Sequence, residues 1–124
     1  MEFQHSFRFS IIEQTEHRVV GEMPIDAGMK NPYGVVHTGA MLWFADVCAT
    51  VLVLGSPHAD EGQSGFPLAI TLNANLAGNQ SEGCLRAVAS FVKRGKTVNI
   101  VRTSVFGDGD RLIAEVTTNH VRAR

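Results

Sequence analysis

The most sharply patterned stretch of the chain covers residues 31–54 and reads NPYGVVHTGAMLWFADVCATVLVL. It opens as a loop carrying Pro32 and Gly34. It continues, from near Thr38 or Gly39, as a helix that is apolar nearly all round. Thr38 is a candidate N-cap, because its hydroxyl can accept from a free amide of the first turn. Gly55, Ser56 and Pro57 stop the helix. A helix apolar on every face is a buried helix. From Ala40 to Leu54 its one ionisable carboxylate is Asp46. Burial disfavours the charged form of such a group and raises its pKa unless donors compensate.

The other segments alternate. Phe7, Phe9 and Ile11 are interleaved with Arg8, Ser10 and Ile12, which predicts a strand over 7–12. A polar turn over 13–16 leads to a second strand over 17–25, with Pro24 placing its end at an edge. Beyond the helix, 56–65 is polar and Gly-rich and reads as a surface loop. Residues 68–77 alternate again, with Asn73 and Asn75 on one side of the sheet. Strands are then predicted over 84–93, 97–106 and 111–121. Arg94-Gly95-Lys96 is a tight connection, and Gly107-Asp108-Gly109-Asp110 is a strong hairpin signal. Two strands, one helix and four consecutive antiparallel strands make an α+β domain. Long alternating strands wrapped around the helix explain why it has no polar face. Met41, Trp43 and Phe44 read as core or interface.

Composition narrows the classes. A chain of 124 residues suits one domain, residues 1–124. Net charge is −1 with no basic block, so no nucleic-acid footprint is expected. The apolar helix is shorter than the roughly 20 residues of a bilayer span and carries Asp46, so no membrane partner is expected. Cys48 and Cys84 lack metal-ligand spacing, and His5, His17, His58 and His120 are scattered, so no metal site is expected. The N-terminus has no apolar core of signal-peptide type, and the cysteine usage suits a reducing compartment, which together predict a cytoplasmic protein.

Chemistry converges on the helix start. Its first amides lack intrahelical partners and carry the positive end of the dipole, an arrangement that can hold an anion or an oxyanion. Gly39 leaves the approach open, and Asn31 and His37 supply hydrogen-bonding groups. Asp46 follows Gly39 by seven residues, close to two turns, so both share one helix face. The same spacing separates them by roughly 10 Å along the axis. If both act on one substrate atom, the helix start must come from another subunit, and a two-fold dimer would hold two equivalent sites.

Asn31-Pro-Tyr-Gly34-Val-Val-His37-Thr-Gly39, followed by Asp46, resembles the signature of the hotdog-fold acyl-CoA thioesterases. The nearest likeness is to the PaaI-like branch of the 4-hydroxybenzoyl-CoA thioesterase superfamily. The strands around Thr71-Leu-Asn-Ala-Asn75-Leu and Lys93-Arg-Gly-Lys-Thr97 resemble that family too. The resemblance implies a hotdog fold, a long central helix wrapped by an antiparallel sheet of five to six strands. It implies hydrolysis of a coenzyme A thioester to a carboxylic acid and free CoA, with no metal or redox cofactor. The assembly it implies is a homodimer, and a homotetramer of two dimers. It assigns Asp46 as nucleophile or general base and the amide of Thr38, with Gly39, as the oxyanion hole. Asn31 would orient the water or the carboxylate, and His37 would contact the thioester oxygen or order the loop. Gly34 and Thr71 would line the substrate site, with Arg94 and Lys96 as candidates for the CoA phosphates.

Two positions depart from the family pattern. Its usual His-Gly-Gly is here His37-Thr38-Gly39, which narrows the pocket. The position after the helix where many relatives carry Ser or Thr is Ala69, with Thr71 expected two residues on and on the same strand face. Each residue also has an ordinary structural reading, Asn31 as a turn former, His37 as a satisfied loop histidine, Arg94 and Lys96 as a solvated turn. Two rival functions stay open: a non-catalytic acyl-CoA binding or sensing module, and an acyl-thioester hydratase or dehydratase.

Overall fold

The computed structural model describes residues 1–55 and 67–122. The surface loop expected over 56–65 lies outside the described residues. The chain forms β1 (Ser10–Gln14), β2 (Arg18–Pro24), α1 (Thr38–Leu54), β3 (Pro67–Leu76), β4 (Cys84–Lys93), β5 (Val98–Phe106) and β6 (Leu112–Arg122). The six strands make one antiparallel sheet in the order β1-β2-β4-β5-β6-β3. The expected succession of two strands, one helix and four strands is what forms.

The helix packs across the sheet, against β2 through β6. Alternation supplies the covered face: Leu85, Ala87 and Ala89 on β4, Val101 and Val105 on β5, Ala114 and Val116 on β6 are all fully buried. Ala40, Met41, Phe44, Ala45, Cys48, Ala49 and Leu52 meet them from α1. Burial pushes the Cys48 thiol up to about 12, so it behaves as a small apolar side chain. Gly21 on β2 sets how closely the helix approaches. A Cβ there would lie 2.7 Å from Cys48 Sγ and 2.8 Å from Phe44 Cε1. Gly21→Ala is therefore expected to lower stability by about 1–3 kcal/mol, read from the midpoint of urea unfolding at unchanged slope.

Two local expectations are corrected. The first strand begins at Ser10, later than residue 7, and Glu13 pairs with Val20 where a turn is predicted. Phe7 and Phe9 alternate for another reason: they pack on α1, Phe9 with its ring centroid 5.0 Å from Trp43 and 4.8 Å from Phe44. Phe7 lies 5.9 Å from Trp43. The second correction concerns β3. Its pairing with β6 shifts between Ala69 and Thr71, so Ile70 is an extra, bulged residue. Ala69 pairs with buried His120 and faces the helix side, whereas Thr71 pairs with Asn119 and faces away. The two do not share a face. After the bulge Leu72, Ala74 and Leu76 take the helix side and Asn73 and Asn75 the other, so the two asparagines do lie together.

Candidate active site at the helix start and Asp46

The loop before α1 is closed by its own side chains. Asn31 Oδ1 accepts from the amides of Tyr33 (2.9 Å) and Val35 (3.3 Å), and the Asn31 carbonyl accepts from Gly34 N (2.9 Å). Gly34 sits at φ +80°, a conformation that favours glycine. Asn31 is thus a turn former, and its Nδ2 donor stays without a protein partner among the described residues. The loop is anchored to the short 3-10 turn at Ala27–Met29, whose Met29 carbonyl accepts from His37 N (2.8 Å).

The helix starts at Thr38, but its cap is His37, not Thr38. His37 Nδ1 accepts from the Gly39 amide at 3.1 Å. A nitrogen that accepts carries no proton, so the ring proton is on Nε2, which is left as a donor. The His37 carbonyl accepts from the amides of Ala40 and Met41. The Thr38 amide is the first-turn donor that keeps no acceptor among the described residues, and Thr38 itself is exposed. The resemblance implies the amide of Thr38, with Gly39 beside it; the structure leaves the Thr38 amide without an acceptor among the described residues and spends Gly39 on the cap.

Asp46 lies within α1 and is half-buried. Its Oδ1 is shielded from solvent and has no hydrogen-bond partner among the described residues. Burial pushes its carboxyl above the ordinary value, and charge on His120 opposes that. The folded chain thus holds the Asp46 proton more tightly than the unfolded chain does. Stability from this group is present at low pH and is lost as pH rises through the raised value. Asp46→Asn is expected to be more stable than the parent at neutral pH, by on the order of 1 kcal/mol given its partial exposure. The gain should vanish near pH 3, where both states are protonated, as thermal melts at the two pH values will read.

Alternation over 111–121 holds a signal that sequence reasoning passed over. Val116, Thr118 and His120 fall on one face, and the last two are fully buried polar residues beneath α1. His120 Nδ1 donates to the Pro67 carbonyl (3.1 Å), and its Nε2 lies 2.8 Å from Thr118 Oγ1.

The remaining candidates lie apart from the helix start. Thr71 Oγ1 accepts from Asn119 Nδ2 at 2.6 Å on the outer face of the sheet. Arg94 reaches the Glu16 carbonyl (3.5 Å) and carboxylate (3.8 Å) and covers the Phe91 ring at 5.2 Å. With Arg122 and residues 52–55 it lines a cleft of about 470 Å³ at the far end of α1. Lys96 is exposed in the same connection. Within one chain, then, the two basic residues and the helix start sit at opposite ends of a helix about 25 Å long. Among the described residues no group of three or more His, Cys, Asp or Glu side chains is placed to hold a metal ion, and no helix is long and apolar enough to cross a membrane.

The arrangement is that of a hotdog fold, one long helix held in a curved antiparallel sheet. A mutant of the thioesterase enzyme SAV0944 from Staphylococcus aureus superposes with a TM-score of 0.86 at 24% identity, covering 95% of each chain. The thioesterase HI1161 from Haemophilus influenzae gives a TM-score of 0.80 at 20% identity, over 94% of this chain and 78% of that one. In sequence the chain is 28% identical over 103 residues to the "Putative esterase ComA2" of Bacillus subtilis (strain 168), spanning 83% of this chain and 79% of that protein. No family model matches the chain.

Proposed function

We propose that this protein is an acyl-CoA thioesterase whose active site is built from two chains. The observation that carries the reading is the pairing of two unsatisfied groups on one helix. The Thr38 amide has no acceptor, and Asp46 Oδ1 is shielded and has no donor, among the described residues. A thioester carbonyl fits the first, and the proton of a water fits the second. The structural neighbours named as thioesterases, and the relative named as an esterase, support the reaction class.

In the reading proposed, the thioester oxygen rests on the Thr38 amide, where the helix dipole stabilises the charge that develops on it. The Nε2–H of His37 is the second donor. Asp46 either takes the proton of an attacking water or attacks the carbonyl itself. In the first case an O–C bond forms, the C–S bond breaks, and the proton held by Asp46 passes to the leaving thiolate. In the second the Asp46 oxygen bonds to the carbonyl carbon as the C–S bond breaks, and water then cleaves the resulting anhydride, giving the acid its oxygen, the thiolate its proton and Asp46 back. Asn31 Nδ2 orients the water, Gly34 and Gly39 leave the acyl chain room, and Arg94 and Lys96 meet the CoA phosphates. The reaction calls for no metal or redox cofactor.

Asp46 cannot serve the amides of its own helix start across about 10 Å. The second chain is expected along β3, which among the described residues pairs only with β6 and has no partner on its other edge. That strand bears Leu68, Ile70, Leu72 and Leu76, each between 40% and 54% exposed, an unusually apolar open edge. A homodimer through β3 covers them, and two such dimers would make the homotetramer. Free Cys48 and Cys84 agree with a cytoplasmic setting.

Thiol release from a panel running from acetyl- to palmitoyl-CoA, with phenylacetyl- and benzoyl-CoA, tests the reading directly. Release from at least one member is the expected result. Tight acyl-CoA binding with no release would leave a sensing module, and hydration of crotonyl-CoA without release would leave a hydratase.

A further inference from the structure

We propose that His5, on the segment that runs ahead of β1, is a positioning residue for His37. Its ring packs against the His37 imidazole and fixes the direction in which the Nε2–H of that imidazole points. The consequence for turnover rests on the thioesterase reading, in which that N–H meets the thioester oxygen. The contact between the two rings does not depend on it.

His37 needs a second hold. Its Nδ1 accepts from the Gly39 amide at 3.1 Å, which sets the tautomer but restrains the half-buried ring at one atom only. A ring held at one atom can rock about it, and a group that must meet a reacting atom loses much of its effect when misplaced by about 1 Å. The His5 ring supplies the further contact. The two ring centroids lie 4.8 Å apart with the planes inclined at 55°, a tilted pairing of the kind aromatic rings favour.

His5 is exposed, so something other than burial must keep it in place. The short 3-10 turn at Ala27–Met29 does so. His5 Nδ1 lies 3.2 Å from the Gly28 carbonyl, and because a carbonyl only accepts, Nδ1 carries the proton. The Ser6 amide donates to the same carbonyl at 3.0 Å. The next carbonyl, that of Met29, accepts from the His37 amide at 2.8 Å. Two consecutive carbonyls of one turn thus set the two histidines against each other. Gly28 permits the approach: a Cβ there would fall on Ser6 Oγ and lie 3.3 Å from the Ser6 carbonyl oxygen. Further along, Arg8 Nε lies 3.7 Å from Asp26 Oδ2, while Asp26 Oδ1 caps the same turn through the Gly28 amide at 2.9 Å. Phe7 stacks on His5 at 6.0 Å and meets Trp43 at 5.9 Å, so the segment is held to α1 as well as to the turn.

His5→Ala tests the proposal, and because the side chain is exposed the variant should fold. Two properties of the intact protein are read at about pH 8, where an ordinary histidine is neutral. One is the nitrogen NMR spectrum of the His37 ring without substrate, and the other is kcat and KM for thiol release. The His37 ring nitrogens are expected to move towards the averaged shifts of a ring exchanging between tautomers. With them kcat should fall about tenfold while KM stays within about twofold. His5→Phe keeps a ring against His37 without the bond to Gly28, and should restore most of both. Gly28→Ala, which drives Ser6 off the turn and leaves His5 in the chain, should reproduce the loss. His37 nitrogen shifts that are the same in His5→Ala as in the parent overturn the proposal, even if turnover falls, because His5 would then be structural only. If the parent releases no thiol at all, the thioesterase reading fails while the His37 spectrum still decides the contact.

Discussion

Asp46→Ala is expected to reduce kcat/KM for thiol release by about 100-fold or more, while leaving the fold intact. The two halves of that expectation come from one fact. The shielded carboxylate oxygen has no hydrogen-bond partner among the described residues, so its removal orphans no donor. Truncation of a residue that helps catalysis and costs stability should separate the two measurements: turnover falls, and the melting temperature holds or rises. Asp46→Asn keeps the shape but cannot take a proton, and should fall nearly as far. Activity should also fall on acidification at a pH above the ordinary carboxylate range, since burial raises the carboxyl of Asp46 and only its ionised form acts. An alanine variant within a few-fold of the parent would mean that another group supplies the base.

Placing a charge on the open edge should have an effect of similar size by another route. Leu72 lies on the helix side of β3 and is 40% exposed. In a dimer through β3 that exposed part is covered, which contributes about 1 kcal/mol, the fraction of a full leucine burial that remains to be made. Leu72→Glu reverses that sign and is expected to shift the protein from dimer to monomer in light scattering. The monomer keeps its own Asp46 but loses the partner's helix start. Loss of an oxyanion donor of this kind is worth about 100- to 1,000-fold in kcat. A folded monomer with full activity would defeat the two-chain site, and with it the distance argument made from the spacing of Gly39 and Asp46.

What could be read from the sequence was whatever depends on periodicity and on strong stop signals. The helix end at Leu54 follows from Gly55, which takes the left-handed conformation at φ +79° and closes on the Val51 carbonyl. The four-strand run and the hairpin at 107–110 follow from alternation and turn chemistry, with Gly109 at φ +68° and Asp110 at φ +56°. The misses have physical causes. Phe7 and Phe9 alternate like a strand because an aromatic pair packing on a helix has the same period as one in a ladder. His37 displaces Thr38 as cap because a neutral imidazole accepts as well as a hydroxyl does, although cap preferences favour Ser, Thr, Asp and Asn. His120 reads in the sequence as one scattered histidine; alternation already puts it on the face of Thr118, and what the structure adds is that this face is the buried one beneath the helix.

The bulge at Ile70 has a consequence for how this strand can change length. Ala69 pairs with His120 and Thr71 with Asn119, and those two partners are neighbours in β6. A chain lacking Ile70 would satisfy both pairings as an unbroken ladder, with Ala69 still toward the helix and Thr71 still away from it. Position 70 is therefore where β3 can lose a residue without turning over any other side chain, whereas a deletion at 72 or 74 would put the remainder of the strand out of phase. Homologous chains are thus expected to drift in length at this point, and an alignment that refuses a gap there will match Thr71 to the wrong face of its counterparts.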